Sequence, residues 1–428
     1  MGTNTRQLGN LQFEKLNSKV VEWQSTVTSD GSTVTQMVAG RGYFIDNSSA
    51  AGLVKLPAVD DSNPGDTIMI KDYAGNFGTN NLTIQRNGHN IQGLSVDSTV
   101  LTDRASVTLV YVDSTKGWLF TMESNVAVLG PTYISATGGT VATSGNFKIH
   151  SFTGDGCFVV SCAGNSTGSN KVSYIVVAGG GGGGRDRSGG GGAGGYREGR
   201  APAFDSYTAS PLVAPDGLPV SAQTYPITVG AGGAGGNTSP NFNGANGSNS
   251  SFSTITSAGG GGGMTSNTTS PQGGGFDGGS GGGGAGSNPS PHSPPAGIGN
   301  TPPVSPPQGQ PGGEGQDGGN SRGAGGGGAT AAAVNASTTP SAAPGGGAGA
   351  TSCITGSPVA RAGGGGGTGT SPRTQGAGGS GGGGAGGHPA GTAGTANTGG
   401  GGGGSCSSGV GAAGGKGIVI IRYKFQGS

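Results

Sequence analysis

The chain carries little charge. Only 10% of its 428 residues are Asp, Glu, Lys or Arg, and the formal net charge is +1; a typical soluble domain has about 25% charged residues. No stretch is basic enough to serve as a nucleic-acid surface. Long apolar runs are missing too, which excludes a membrane-spanning helix. The opening "MGTNTRQLGNLQFEKLNSKVVEW" has no apolar core of the signal-peptide kind. It begins like a myristoylation motif, but Arg6 stands where Ser or Thr is needed. The four cysteines, Cys157, Cys162, Cys353 and Cys406, are too few and too irregular for a disulfide scaffold, and their spacing fits no zinc site. Free thiols are expected. Asp60 and Asp61 adjoin "SNPGD" and read as turn residues, not as an acid–base pair, and no nucleophile–base set stands out. The expectation is a protein that is not an enzyme and uses no cofactor or metal.

What is present in excess is glycine. There are 103, and 83 of them fall in residues 179–428. Collagen would need a strict three-residue repeat. Here the glycines form blocks at 179–184, 259–263, 281–284, 325–328, 363–367, 381–384 and 399–404, separated by loops rich in Ser, Thr, Asn and Pro. Composition alone reads as a flexible linker. The order of segments argues otherwise. "SYIVVAGG", "TYPITVGAGG", "SFSTITSAGG" and "ITGSPVARAGG" each set a strand-like stretch directly before glycines, and "GGKGIVIIRYKF" does the reverse. A linker has no reason to repeat that junction.

Polyproline II geometry explains it. Such a helix has three residues per turn and no internal hydrogen bonds, so its N–H and C=O groups point outward. With only hydrogen on every face, helices can pack side by side and bond to one another. Those at an edge need Gly on fewer faces and admit Ala, Ser or Thr. Ordering each backbone residue costs about 1–2 kcal/mol and a net hydrogen bond returns about 1 kcal/mol, so blocks must pack together and be anchored. The strands form a base and the glycine blocks leave it. "GAGGAG" at 230–235 matches a dinucleotide-binding fingerprint, but no helix follows it, and "GGKG" at 414–417 fails the P-loop pattern.

Upstream, residues 1–30 read as an attachment segment, helical or extended. Residues 31–125 hold short β-branched and aromatic runs ("GYFID", "DTIMIKD", "LTIQRNG", "SVTLVYVD") separated by turn signals such as "NPGD" and "NG". A small sandwich or jelly roll is expected. Residues 126–178 continue in β as the base, with "FKIHSF" and "CFVVSC" forming a hairpin around "TGDG". His150 reads as a partnered histidine in a strand. The fold class expected is thus a mainly β N-terminal half followed by a polyglycine II bundle over residues 179–428, its last strand returning to the base.

The series "FKIHSFTGDGCFVVS…SYIVVAGGGGGG…YPITVGAGG…GSNSSFSTITSAGGGGG…GTANTGGGGGG…GGKGIVIIRY" resembles the glycine-rich domain of phage tail-fibre proteins, including adhesins of T-even-type phages. The stretch "VAGRGYFIDNSSAAGLVKLPAVDDSNPGDTIMIKDYAGNFGTNNLTIQRNGHNIQG" resembles virion structural proteins of cyanophages. The resemblance implies a fibre or fibre-tip protein of a virion, made in the host cytoplasm and recognising a surface glycan or outer-membrane protein. It also implies a homotrimer held to tail, neck or baseplate proteins by its N-terminal region. A structural appendage that binds no receptor is an alternative, and an ice-binding protein another. In such adhesins, loops at the distal end bind. Following the chain out and back from the base makes 264–272, 287–311, 329–344 and 405–408 distal. The candidate binding residues are therefore Asn267, Thr269, Pro291, His292, Ile298, Pro303, Val304, Pro307, Asn335, Thr338, Ser405 and Ser407.

Overall fold

A computed structural model describes residues 21–125, 131–237, 242–266, 274–286, 294–316, 321–336, 344–369, 375–407 and 409–427. These divide into two compact units, Met1–Leu129 and Gly130–Ser428. Both are built from strands, and no α-helix occurs among the described residues.

The first unit has two sheets around one core. Val34–Gln36, Gly52–Lys55 and Leu82–Gln85 pair in parallel in one sheet, while Arg41–Asp46 and Thr67–Asp72 pair in parallel in the other. The chain therefore crosses between the sheets at each step, like a flattened coil. Only afterwards do Ala105–Asp113 and Gly117–Asn125 add as antiparallel neighbours. Alternate residues point inward, so Ile45, Val54, Ile68, Ile70, Leu82, Ile84, Leu109 and Trp118 share the core. Two sheets agree with a sandwich, but a jelly roll would pair antiparallel strands. The turn sequences mark where the chain bends. They do not choose between folding back beside the last strand and crossing the core.

In the second unit the two central strands are Lys171–Val177 and Ile418–Lys424, paired antiparallel with Ile175 opposite Ile420. Val172, Tyr174, Val176, Val419, Ile421 and Tyr423 face a core shared with Phe158, Tyr225, Ile227 and Phe252 of a five-stranded sheet. Ile175, Val177, Ile418 and Ile420 face a second core with Tyr196, Tyr207 and Ile354. Burial on both faces explains why "YIVV" and "IVII" are unbroken apolar runs. The expected hairpin around "TGDG" does not form. Phe147–Phe152 lies in the sheet of the central strands and Gly156–Ala163 in the five-stranded sheet. The turn carries the chain across the core, because Phe152 and Phe158 both fill the space between the sheets.

His150 is fully buried in this layer. Its Nδ1–H donates to the Gly138 carbonyl at 2.7 Å, and Nε2 faces the Tyr423 hydroxyl at 3.1 Å. Burial lowers its pKa from the ordinary 6.5, outweighing the Gly138 bond, and Lys148 adds to the lowering. The unfolded chain therefore binds this proton more readily than the folded one. This group leaves stability flat above pH 6.5 and reduces it as pH falls below, by at most about 1.4 kcal/mol per pH unit. Melting curves between pH 7.5 and 5 should show that slope, and His150→Phe should flatten it. An equal slope in both proteins would refute the assignment.

The glycine blocks carry no strand or helix, yet their hydrogen bonds are ordered. Residues 178–184 follow the central strand Lys171–Val177. The N–H groups of Gly179 and Gly182 donate to Ser248 and Ala245, those of Gly180 and Gly183 to Gly415 and Ala412, and those of Gly181 and Gly184 to Gly192 and Gly189, all at 2.8–3.0 Å. Their carbonyls accept with the same three-residue period, from Gly260 and Gly263, Gly233 and Gly236, and Gly402 and Ser405. One extended segment is thus surrounded by six others, and each successive residue addresses a different neighbour. A Cβ at Gly179 would run into the Ala231 carbonyl, at Gly180 into that of Gly400, and at Gly181 into that of Gly261. The six-glycine run is required because every face of this segment is occupied by backbone. At the periphery the rule relaxes. Along 230–236, Gly230, Gly233 and Gly236 are buried while Ala231 and Ala234 are exposed.

Candidate functional site

The end of the bundle away from the strands carries the polar turns. Residues 185–188 reverse the chain so tightly that Gly184 N–H bonds to the Gly189 carbonyl at 3.0 Å. Asp186 and Arg187 take positive φ, 57° and 42°. Ser188 is buried and fixes the turn: its hydroxyl donates to the Gly184 carbonyl at 2.6 Å and accepts from Ser405 N–H at 3.0 Å, while Thr368 Oγ1 donates to the Ser188 carbonyl at 2.9 Å. Other segments bond to the same turn. Gly286 N–H reaches the Arg187 carbonyl and Ser266 N–H the Asp186 carbonyl. Arg185 donates to the Asn237 carbonyl at 2.9 Å and lies 5.7 Å from the Phe242 ring centre. Arg187 reaches Ser321 Oγ at 3.4 Å and sits 3.7 Å from Asp186 Oδ1. Turns distant in sequence are thereby held as one surface bearing both charge signs.

The expected binding residues divide. Asn267, Thr269, Pro291, His292 and Thr338 lie outside the described residues. Ser407 is exposed at this end, its Oγ 3.5 Å from His388 Nε2. Ser405 is nearby but fully buried, its hydroxyl donating to the Gly409 carbonyl at 2.6 Å, so it shapes the turn and cannot meet a ligand. Asn335 is exposed beside Glu314, whose N–H it accepts at 2.9 Å.

Ile298, Pro303, Val304 and Pro307 are not at this end, which corrects the expectation of one distal loop over 287–311. Residues 294–299 return toward the strands as a bundle segment, with Pro295 O bonded to Gly275 N–H and Gly297 N–H to Gly282 O. Residues 300–308 then turn at the strand end. The Gln308 carbonyl accepts from Tyr196 N–H, and Gln308 Oε1 accepts from Ala258 N–H at 2.8 Å. Prolines misled the reading. On a peripheral segment only every third residue faces backbone, so Pro294 and Gly297 are buried while Pro295 and Ile298 point outward. Arg185, Asp186, Arg187 and His388 were missed as site residues. The sequence held a signal in "GGRDRSGG", where three charges interrupt glycine in a chain with few charges.

A family model described as a glycine-rich domain matches residues 153–424, well over half of the chain. The chain belongs to this glycine-rich domain family. No relative was found among curated proteins. The glycine-rich domain so delimited runs from the turn before Gly156–Ala163 to the last residue of Ile418–Lys424. It therefore includes the strands that anchor the segments as well as the segments. Among the described residues of the glycine-rich domain, no group of His, Cys, Asp and Glu could hold a metal ion, and no helix is long and apolar enough to cross a membrane.

Proposed function

We propose that the glycine segments are polyglycine II helices and that the protein is a fibre or fibre-tip adhesin of a phage virion, touching the host surface with the turns farthest from the strands. The three-residue hydrogen-bond period and the six neighbours of 178–184 support the helix assignment. The observation that carries the functional reading is the joining of the 185–188 turn to residues 237, 266, 286, 321, 368 and 405. Turns fixed on a rigid support lose little entropy on binding. Residues 1–125 attach the protein to other virion components, as a homotrimer, and the host partner is a glycan or an outer-membrane protein.

The test targets side chains whose removal leaves the backbone–backbone bonds of the turns in place; Arg185 also gives up its bond to the Asn237 carbonyl. Fibres carrying Arg185→Ala, His388→Ala and Ser407→Ala together should melt near the wild-type temperature and adsorb to host cells at least about tenfold more weakly, because hot-spot side chains cost over 1 kcal/mol each. Folded variant fibres that adsorb as well as wild type would reject this end as the receptor surface. A replacement of 290–310 would not serve, since it would delete a bundle segment and a base turn.

A further inference from the structure

The flank of the bundle holds a groove that the reading of the far end leaves unused. It has a volume of about 490 Å³ and lies among residues 230–236, 243–249 and 274–279. Ala234, Gly235, Gly244, Ala245 and the ring of Phe276 line it. Phe276 is 39% exposed. Its backbone is fixed by bonds to Gly262 and Gly282, so the ring stands on a rigid support.

Asn243 and Asn246 also line the groove. They belong to a ladder at every third residue. Asn243 Oδ1 accepts from Thr265 N–H at 3.0 Å, Asn246 Oδ1 from Gly262 N–H at 2.8 Å, and Asn249 Oδ1 from Gly259 N–H at 2.9 Å. The side-chain amides supply acceptors for the N–H groups of Gly259, Gly262 and Thr265. Each Oδ1 is thereby engaged, and in the groove Asn243 keeps its NH2 group to offer a ligand. Asn246 Nδ2 donates to the Asp277 carbonyl at 3.4 Å, linking 243–249 to the segment that bears Phe276.

We propose that this groove binds a neutral linear oligosaccharide. Among the described residues none of its lining side chains is charged, so none of them would compensate a phosphate, a sulfate or a carboxylate. Ala234, Gly235, Gly244 and Ala245 present only hydrogen and methyl groups to a ligand. An aromatic face takes the apolar C–H face of a sugar, and the Asn243 amide donates to a hydroxyl or carbonyl oxygen. The site rests on the adhesin reading only for its biological purpose.

Titration of the full-length protein with maltotriose, cellotriose and triacetylchitotriose, followed by saturation-transfer NMR and calorimetry, tests it. At least one should bind. Phe276→Ala should weaken binding about tenfold while Phe276→Trp retains it. Asn243→Asp keeps an acceptor for Thr265 N–H but loses the donor, so it should weaken binding with no change in melting temperature. Failure of all three sugars to bind, or binding unaffected by Phe276→Ala, overturns the proposal. Cell adsorption separates this site from the far end. The Arg185, His388 and Ser407 variant should keep trisaccharide binding, so a failure of either proposal is read independently of the other.

Discussion

Gly181→Ala should destabilise the glycine-rich domain by about 3 kcal/mol or more, the upper range for overpacking, while Gly154→Ala should be nearly neutral. The added methyl at 181 meets the Gly261 carbonyl. That carbonyl cannot withdraw freely, because it accepts from Gly192 N–H at 2.8 Å. Moving 258–264 aside would also strain the bonds of Gly260 and Gly263 to the carbonyls of Gly179 and Gly182. At Gly154 a Cβ would find only Lys416 Nζ, 3.6 Å away at the end of a flexible side chain. Gly182→Ala should match Gly181→Ala although it strikes a different neighbour, the carbonyl of Ala234. Calorimetry gives the stabilities, and amide exchange at 399–404 reads out the bundle. An unchanged melting temperature for Gly181→Ala, or exchange at 399–404 as fast as in an unstructured peptide, would end the proposal of packed polyglycine II helices.

The positions where alanine already occurs show the same rule from the other side. Ala231 and Ala234 face solvent, while Ala193, Ala329 and Ala362 face the side-chain core beside Tyr196 and Ile354. A methyl is accommodated where its neighbour is water or another side chain. It is excluded where the neighbour is a carbonyl. Much of this was legible in the sequence, because the blocks without side chains had to be the ones surrounded by backbone. The junctions were legible as well: "SYIVVAGG" spans the end of Lys171–Val177, and "GGKGIVIIRYKF" contains Ile418–Lys424.

Four features were not legible, each for a physical reason. Strand pairing depends on where distant residues meet, so "FKIHSF" and "CFVVSC" looked like partners when their shared core divides them between sheets. In the first unit, local turn chemistry gave no sign that successive strands alternate between sheets in parallel. Peripheral segments such as 294–299 fix only one residue in three, and the remaining Pro and Ile hide the period. That missed return misplaced Ile298, Pro303, Val304 and Pro307. The groove at Phe276 escaped because its parts come from three segments joined only by folding.

Removing either partner of the buried Arg422–Asp205 pair should cost about 3–5 kcal/mol, because the other is left as an uncompensated buried charge. The two side chains are only 7% and 2% exposed. Arg422 Nε donates to both carboxylate oxygens of Asp205 at 3.0 and 3.2 Å, Nη1 donates to the Ile354 carbonyl at 3.2 Å, and the guanidinium lies 4.2 Å from the Phe147 ring centre. Asp205 also accepts from Ser173 Oγ at 3.1 Å. The pair thus ties both central strands to two loops of the second core. Arg422→Met and Asp205→Leu should each be strongly destabilising, while the double variant should recover most of the loss, since no charge is then stranded. The exposed pair Lys171–Asp216 sets the contrast: Lys171→Ala should cost under about 1 kcal/mol. These strands hold the inner ends of 178–184 and 410–417, so either single variant should also speed amide exchange at 179–184. Denaturant unfolding of the four variants decides the matter. Single variants within about 1 kcal/mol of wild type, or a double variant as unstable as the sum of the two, would show that the pair does not join these strands as a unit.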